Sequence, residues 1–352
     1  MGLTAAGVVG LRIGLSVSLL VGLFVSPFVG VAPALAQGEP NLAGKTVRMV
    51  IGSAPGGTYD LLGRAVSRHI GRHLPGNPSV VPQNMPGAGG LVAANHIYNV
   101  APKDGTAIAI SNKGVAGAAI AGVPEARFDA TRITWLGTPI TETSVCFAYN
   151  SPALQVRTIN DLYEKELHVG SLGAGTVATA YPRALATLLG LKFKLVGGYA
   201  GSNQIYLAME RGEIEAICEG IDGVIAKRPT WIPEKVITLL LQGGAAPNPD
   251  LKDVPFIVDH AKTPDDRLAL EFLYAAEGIG RPFFAPPDLS PAVHAMLRNA
   301  FDRTMQDPEF VADAKKLGFD PRPENGDYLA ALMKRMAATP KPIKDKVVEL
   351  TR

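Results

Sequence analysis

After residue 45, the spacing of hydrophobic residues switches repeatedly between that of a strand and that of a helix. Short β-branched runs, such as TVRMVI from Thr46, are typical of strands, and the residues that follow them are apolar at helical spacing. The first predicted helix carries these apolar residues on one face: Leu61, Leu62, Ala65, Val66 and Ile70. Alternating strands and helices predict an α/β fold with largely parallel sheets.

A glycine-rich loop joins each of four predicted strands to its helix. The loops are APGGTYD and QNMPGAGG in the first part of the chain, and SLGAGT and GGYAGS in the second. This arrangement predicts two lobes, each with two strand-loop-helix units. Two lobes are also expected from size, because 352 residues exceed the ~250 to 300 at which a single core stops growing.

Two segments look like connections between the lobes. GTPITETSVCFAYN runs into a strand near residue 141, and GIGRPFFAPPD leaves the second lobe near residue 278. We therefore predict that residues 37–140 and 278–352 form lobe 1 and that residues 141–277 form lobe 2. Two crossings make a hinge, and a hinge between α/β lobes makes a cleft that can close.

The N-terminal segment has the features of a signal peptide. Arg12 precedes an apolar stretch from Ile13 to Val31, and Ala34-Leu35-Ala36 offers the small residues that signal peptidase requires. We predict a signal peptide at residues 1–36, cleavage after Ala36, and an exported mature chain that is not inserted in the membrane. An uncleaved anchor is the alternative, since the stretch is long enough to cross ~30 Å of hydrocarbon, but Pro27 and Pro33 argue against it.

Charge and cysteine content narrow the possible functions. The 34 basic residues are scattered among 32 acidic ones, so we expect no nucleic-acid partner. Cys146 and Cys218 are the two cysteines. They either form a disulfide, as an exported chain allows, or are small buried hydrophobic residues on strands, because the sequence does not give the distance between them.

The four glycine loops are predicted to bind a small anion. In parallel sheets ligands lie beyond the carboxyl ends of the strands, where these loops turn into helices. The first N–H groups of a helix have no intrahelical partner, the helix start carries about half a positive charge, and glycine lets a ligand approach. The hydroxyl donors available are Thr58, Tyr59, Ser111, Thr176, Tyr199 and Ser202.

Such a site does not require a cation, and the four loops contain no Lys or Arg. Micromolar binding needs about 8 kcal/mol. Each hydrogen bond to a charged group contributes roughly 1.5 to 3 kcal/mol, so several N–H and hydroxyl donors suffice for a carboxylate after association costs. Asp60 either holds the first loop by accepting N–H bonds, which we favour, or contacts a ligand amine.

Two motifs suggest other sites but lack what those sites require. GAGTVA, from Gly173 to Ala178, matches a dinucleotide pattern, yet Gly197-Gly198-Tyr199 stands where an acid would hold the ribose. His69 and His73 have a zinc spacing, but basic residues flank them and a half-exposed, solvated helix face is expected. We therefore expect no cofactor, no metal and, without a nucleophile motif, no catalytic residue.

The segments APGGTYD, NMPGAGG, APKDGT and FDATRITWLG together resemble the signature of the tripartite tricarboxylate transporter substrate-binding proteins, the Bug receptor family. SLGAGT, GGYAGS and KDVPFIVDHA lie where that family has its second-lobe segments. The resemblance covers nearly the whole mature chain. It implies a periplasmic binding protein of type 2, a Venus flytrap and not an enzyme, that captures a small organic carboxylate and delivers it to the membrane subunits of a tripartite secondary transporter.

The resemblance also implies ligand contacts from both lobes. Met85 replaces the family's usual arginine and Ala200 a common lysine, while Glu219 stands near a frequent Asp and is included as a contact. Fewer cations and an extra carboxylate favour a monocarboxylate, an aromatic acid or an amino-bearing ligand over citrate. The implied contacts besides Glu219 are Gly56, Gly57, Thr58, Tyr59, Asp60, Asn84, Gly87, Gly89, Gly90, Ser111, Gly173, Gly175, Thr176, Tyr199, Gly201 and Ser202.

Two other functions fit the same pattern. A receptor of this kind can serve as the sensing subunit of a membrane kinase, which the sequence does not distinguish from transport. A periplasmic hydrolase or transferase on the same scaffold would need a nucleophile and its base within ~3 Å of each other in the cleft.

Overall fold

A computed structural model describes residues 40–173 and 176–351. The predicted signal peptide and its cleavage site lie outside these residues, and so does Gly175. Across the described ranges, no helix combines the length and the hydrophobicity that a membrane crossing demands.

Strands and helices alternate through most of the chain, as the hydrophobic pattern predicts. The strands are β1 (Thr46–Ile51), β2 (Ser79–Asn84), β3 (Ala107–Ile110), β4 (Thr134–Thr138), β5 (Ser144–Tyr149), β6 (Leu167–Gly170), β7 (Phe193–Val196), β8 (Ala216–Gly220), β9 (Ile237–Gly243), β10 (Phe283–Ala285) and β11 (Glu324–Asn325). The α-helices are α1 (Thr58–Ile70), α2 (Leu91–Asn99), α3 (Gly114–Ile120), α4 (Asp161–Glu164), α5 (Val177–Leu189), α6 (Ser202–Glu210), α7 (Ile221–Lys227), α8 (Pro264–Ile279), α9 (Pro291–Gln306), α10 (Pro308–Lys316), α11 (Gly326–Ala338) and α12 (Lys341–Thr351).

The strands form two separate sheets, one for each lobe. The first has the order β11-β4-β10-β3-β1-β2 and the second the order β7-β6-β8-β5-β9. β1 is parallel to β2 and β3, and β6 is parallel to β7 and β8. The two-lobed α/β fold predicted from the sequence is confirmed. The residue numbers at which one lobe gives way to the other stay a prediction.

The sheets are less uniformly parallel than the pattern predicted. β10 is antiparallel to both β3 and β4, and β5 is antiparallel to both β8 and β9. β5 lies within the first crossing segment and β10 within the second. The hydrophobic pattern does not show their directions, because the direction in which a strand pairs depends on partners that are distant in the sequence.

Helix α1 shows how the core positions a glycine loop. Leu62, Val66 and Ile70 are fully buried against the first sheet, so the start of α1 is fixed at the carboxyl end of β1. Leu61 is 37% exposed, although the apolar pattern placed it on the same face. Consecutive residues of a helix point about 100° apart, so Leu61 and Leu62 do not both face the sheet.

The C-terminal helices hold α1 from its outer side through ion pairs. His69 Nε2 lies 3.0 Å from Asp313 Oδ2, and His73 Nε2 lies 2.8 Å from Asp307 Oδ2. Arg72 donates to Asp307 at 2.7 Å. The zinc-like spacing of the histidines therefore serves packing, and the expectation of a solvated helix face was wrong. Acids 234 to 244 residues away supply the partners, and a local pattern does not show them.

These contacts make one aspartate sensitive to acid. Burial acts to raise the pKa of Asp307, but hydrogen bonds from His73, from the Glu309 N–H and from Arg72 outweigh it and lower the pKa to about 2. A lowered folded-state pKa adds stability above the unfolded value of 3.8, and that stability is lost as the pH falls towards the folded value.

We predict that Asp307→Asn lowers the free energy of unfolding by about 2 kcal/mol at pH 7 and by roughly half as much at pH 3, as urea titrations would measure. Asparagine still caps α10, so the change isolates the charge. Glu309→Gln removes a more exposed partner of Arg72 and should cost under about 0.5 kcal/mol. An equal loss for Asp307→Asn at both pH values would contradict the prediction.

The two cysteines face each other across lobe 2. Cys146 of β5 is the register partner of Cys218 of β8, their Cα atoms are 4.0 Å apart, and their sulfur atoms are bonded. Both residues are buried. Of the two alternatives left by the sequence, the structure has the disulfide.

We predict that the bond stabilises the chain by about 4 kcal/mol, because it closes a loop across a sequence separation of 72 residues. Urea unfolding of the oxidised protein, the reduced protein and the Cys146→Ala/Cys218→Ala variant measures this. Reductant should weaken the wild type and leave the double variant unchanged. Identical midpoints for oxidised and reduced wild type would contradict the bond.

Candidate functional site

The first glycine loop is tied to the end of β2 by Asp60. This carboxylate, 3% exposed, accepts hydrogen bonds from the Gly56 N–H at 2.8 Å, Arg64 Nε at 2.9 Å and Asn84 Nδ2 at 2.8 Å. Arg64 also donates to Asn84 Oδ1 at 2.7 Å. Burial acts to raise the pKa of Asp60, but these hydrogen bonds lower it below its usual value. Asp60 therefore makes the contacts of a residue that holds the loop.

Ser111 braces the loops of lobe 1 from below. It is fully buried, and its Oγ donates to the Gly90 carbonyl at 3.1 Å. A Cβ added to Gly52 or to Gly90 would collide with this hydroxyl, and Gly90 also has a φ of +97°. Both glycines are therefore required for the close approach of the two loops. The Ser111 hydroxyl lies within the protein and not on the surface of the loops.

The helices at the glycine loops begin without side-chain caps. No side chain of the described residues accepts a hydrogen bond from the first turn of α1, α2, α5 or α6. In contrast, α8, α9, α10 and α11 are all capped, by Thr263, Ser290, Asp307 and Asn325. The uncapped starts leave backbone N–H groups available to a ligand exactly where glycine exposes them.

In the second lobe the predicted contact Ser202 lies beside a cation, Lys227, that the sequence did not suggest. Lys227 Nζ donates to Ser202 Oγ at 2.7 Å and to Glu219 Oε2 at 3.2 Å. The other oxygen of Glu219 is buried and has no partner among the described residues. Burial raises the pKa of Glu219, although Lys227 acts to lower it. Lys227 lies at the end of α7, so no loop pattern pointed to it.

A buried ion-pair network joins the lobes at the two crossing segments. Lys113 Nζ pairs with Glu142 and lies 2.8 Å from Glu277 Oε2, and Arg281 also pairs with Glu142. Tyr181 of α5 donates to Glu277. Burial acts to lower the pKa of Lys113, but the charges of Glu277 and Glu142 outweigh it and raise it. Burial acts to raise the pKa of Glu142, but the charges of Lys113 and Arg281 outweigh it and lower the pKa.

The network brings helix starts from both lobes together. Tyr59, the second residue of α1, accepts a hydrogen bond from the Lys113 N–H at 3.2 Å, and its ring lies 4.9 Å below the Arg281 guanidinium. Tyr181, near the start of α5, reaches the same network through Glu277. The side chains of Tyr59 in α1 and Tyr181 in α5 therefore both contact the network at the crossing segments.

The predicted site residues differ in exposure. Gly175 lies outside the described residues. Those that are exposed are Gly56, Gly57, Thr58, Gly87, Gly89 and Gly173; those half-buried are Tyr59, Asn84, Thr176, Tyr199, Gly201, Ser202 and Glu219; those buried are Asp60, Gly90 and Ser111. Thr176 donates to the Gly173 carbonyl at 2.8 Å, which holds its loop.

The described residues contain a cavity away from these loops but no cluster of metal ligands. Among the described residues no three His, Cys, Asp or Glu side chains cluster closely enough to hold a metal ion. A cavity of about 740 Å³ lies between α8, α11 and the turn after β9, lined by residues such as Phe256, Phe272 and Leu332. None of the predicted contacts lines it.

Comparisons with known proteins agree with this arrangement. No protein-family model matches the chain. The UPF0065 protein in the gbd 5' region of Cupriavidus necator is 24% identical over 333 residues, which cover 90% of this chain and 91% of that protein.

Solved structures match over most of the chain. A TctC solute binding protein from Polaromonas has a TM-score of 0.67 at 17% identity, and the match covers 86% of this chain and 98% of that one. The periplasmic binding protein BugD has a TM-score of 0.52 at 17% identity, with coverages of 87% and 97%. The chain has the fold of the TctC and Bug solute-binding proteins. An R. palustris protein with adipate also has this fold, with a TM-score of 0.52, 18% identity, and coverages of 87% and 97%. The resemblance predicted from the sequence is confirmed.

We predict that Asp60→Asn lowers the free energy of unfolding by about 2 kcal/mol, because hydrogen bonds to a charged acceptor become bonds to a neutral one and Arg64 loses its counter-ion. Urea unfolding at pH 7 measures the change. Asp265→Asn, at an exposed position in the first turn of α8, is the control and should change stability by less than about 0.5 kcal/mol. Equal stability of Asp60→Asn and the wild type would show that Asp60 does not hold the loop.

Proposed function

We propose that the chain is an extracytoplasmic receptor that captures a small organic carboxylate between its two lobes and delivers it to the membrane subunits of a tripartite secondary transporter. The observation that carries the proposal is the contrast in capping. The helices at the glycine loops start without side-chain caps, whereas α8 to α11 supply their own. A bound carboxylate would complete the uncapped helices.

The relatives support a receptor and leave its ligand open. The Polaromonas protein is a solute binding protein and the R. palustris protein has adipate, a dicarboxylate. The adipate of the R. palustris protein supports a carboxylate as the class of ligand for this chain. The proposal includes export to the periplasm with removal of residues 1–36, and a lobe 1 of residues 37–140 and 278–352 that closes on a lobe 2 of residues 141–277. Mass spectrometry of the exported protein should find Gln37 at its N-terminus.

One contact favours the hydrolase alternative, in which Ser202 would be the nucleophile and Lys227 its base. Their polar atoms are 2.7 Å apart at the start of α6. A lysine acts as a base only when it is neutral. Lys227 Nζ is the donor in its contact with Ser202 Oγ, and it also pairs with Glu219 at 3.2 Å. We therefore assign this pair to binding. Recovery of a bound acid unchanged after long incubation supports the assignment, and its turnover would favour the hydrolase.

The experiment that tests the receptor is mass spectrometry of the small molecules released from the purified mature protein. Calorimetry with the acid that is found then measures its affinity. A thermal-shift screen of organic acids serves as the second route. At 100 times its dissociation constant, a ligand should add about 2.7 kcal/mol of stability. Absence of any organic acid from both experiments would count against the receptor.

We predict that Gly57→Asp weakens this binding without harming the fold. Gly57 is the N-cap residue of α1 and has extended backbone angles, and an added Cβ would meet no atom closer than 3.6 Å. An aspartate there caps the helix, which adds up to about 1 kcal/mol of stability, and its charge occupies the place of the ligand carboxylate.

Gly57→Ala is the matched control, because it adds the same Cβ without a carboxylate. Calorimetry should show at least about a tenfold loss of affinity for Gly57→Asp, equivalent to about 1.4 kcal/mol, and a much smaller change for Gly57→Ala. Equal affinities of the two variants would mean that the start of α1 does not hold the ligand.

A further inference from the structure

The cations nearest the glycine loops are all neutralised by carboxylates of the chain itself. Arg64 pairs with Asp60, and Lys227 pairs with Glu219. Lys113 and Arg281 both pair with one carboxylate, that of Glu142. An anion in the cleft would therefore find helix starts without side-chain caps. Each of these four cations, however, already pairs with a carboxylate of the chain.

Glu142 differs from the other carboxylates because it occupies two cations at once and lies beside a loop. Its side chain is 18% exposed, whereas that of Glu277, the second acid of the network, is 1% exposed. The Lys113 backbone N–H donates to the Tyr59 hydroxyl, and the Arg281 guanidinium lies 4.9 Å from the centre of the Tyr59 ring. Glu142 therefore pairs with the cation that lies against the second residue of α1.

The charges of the network cancel. Lys113 and Arg281 carry two positive charges, and Glu142 and Glu277 carry two negative ones. A network without net charge gives a second ligand carboxylate no attraction that would offset the cost of removing it from water.

We propose that Glu142 sets the charge of the ligand: it blocks Lys113 and Arg281 and so makes the cleft prefer acids with one carboxylate over acids with two or three. This inference rests on the proposed receptor function and narrows its substrate class. Replacing Glu142 by glutamine keeps the shape of the side chain and one acceptor oxygen. It leaves the network with one excess positive charge beside the start of α1.

The test uses pairs of acids that differ only by one carboxylate. Hexanoate and adipate form one pair, benzoate and terephthalate the other, and calorimetry on the mature protein gives the ratio of their dissociation constants. The wild type should favour the monocarboxylate of the pair that fits. Glu142→Gln should move the ratio at least about tenfold towards the dicarboxylate, and the effect should shrink at high salt.

Two further variants separate charge from structural damage. Glu142→Gln/Arg281→Gln restores neutrality, so its ratio should return towards that of the wild type. Glu210→Gln removes a carboxylate paired with Arg228 at 3.0 Å on α6, away from the network, and should leave the ratio unchanged. Thermal unfolding of each variant shows whether the fold persists, and the double variant gives an answer even where Glu142→Gln alone is weakened.

The outcomes distinguish this inference from the proposed function. The same ratio in the wild type and in Glu142→Gln, with clear binding in both, would overturn the charge rule and leave the receptor intact. A ratio that shifts equally in Glu142→Gln and in the neutral double variant would also overturn it. Both proposals would lose support if neither the wild type nor any variant bound the four acids and if no organic acid were released from the purified chain.

Discussion

The four charges of Lys113, Glu142, Glu277 and Arg281 hold the site in place. Burying a charge costs several kcal/mol unless a partner of opposite sign is within reach, and removing one member of such a group leaves another uncompensated. The network therefore forms only when the loop after β3, both crossing segments and α5 of lobe 2 are in position. The network ties α1, through Tyr59, and α5, through Tyr181, to the same group of charges.

The glycine loops use that position in two different ways. Some of their residues are structural: Asp60 accepts three hydrogen bonds from its own loop, from α1 and from the end of β2, and Ser111 donates to the Gly90 carbonyl. The exposed glycines form the surface that these residues support. The buried polar residues thus fix the backbone of the loops on which the exposed glycines lie.

Much of this arrangement can be predicted from the sequence, because it is local. The change from strand to helix spacing reveals the units around β1, β2, β6 and β7, and the glycines after each strand reveal the loops. The network at the two crossing segments cannot be predicted, because Lys113 and Glu277 are 164 residues apart and no period links them. The antiparallel directions of β5 and β10, and the aspartates that pair with His69 and His73, depend on long-range contacts in the same way.

The two segments of the main chain that pass between the lobes lie side by side. The Glu142 N–H donates to the Glu277 carbonyl at 2.8 Å, so the stretch that builds the second sheet departs and returns through neighbouring residues. Insertions with adjoining ends are tolerated in other folds because the host does not have to stretch to receive them. The outer surface of lobe 2 is therefore free to diverge through evolution, or to be exchanged by an engineer, while the ends that anchor it remain fixed.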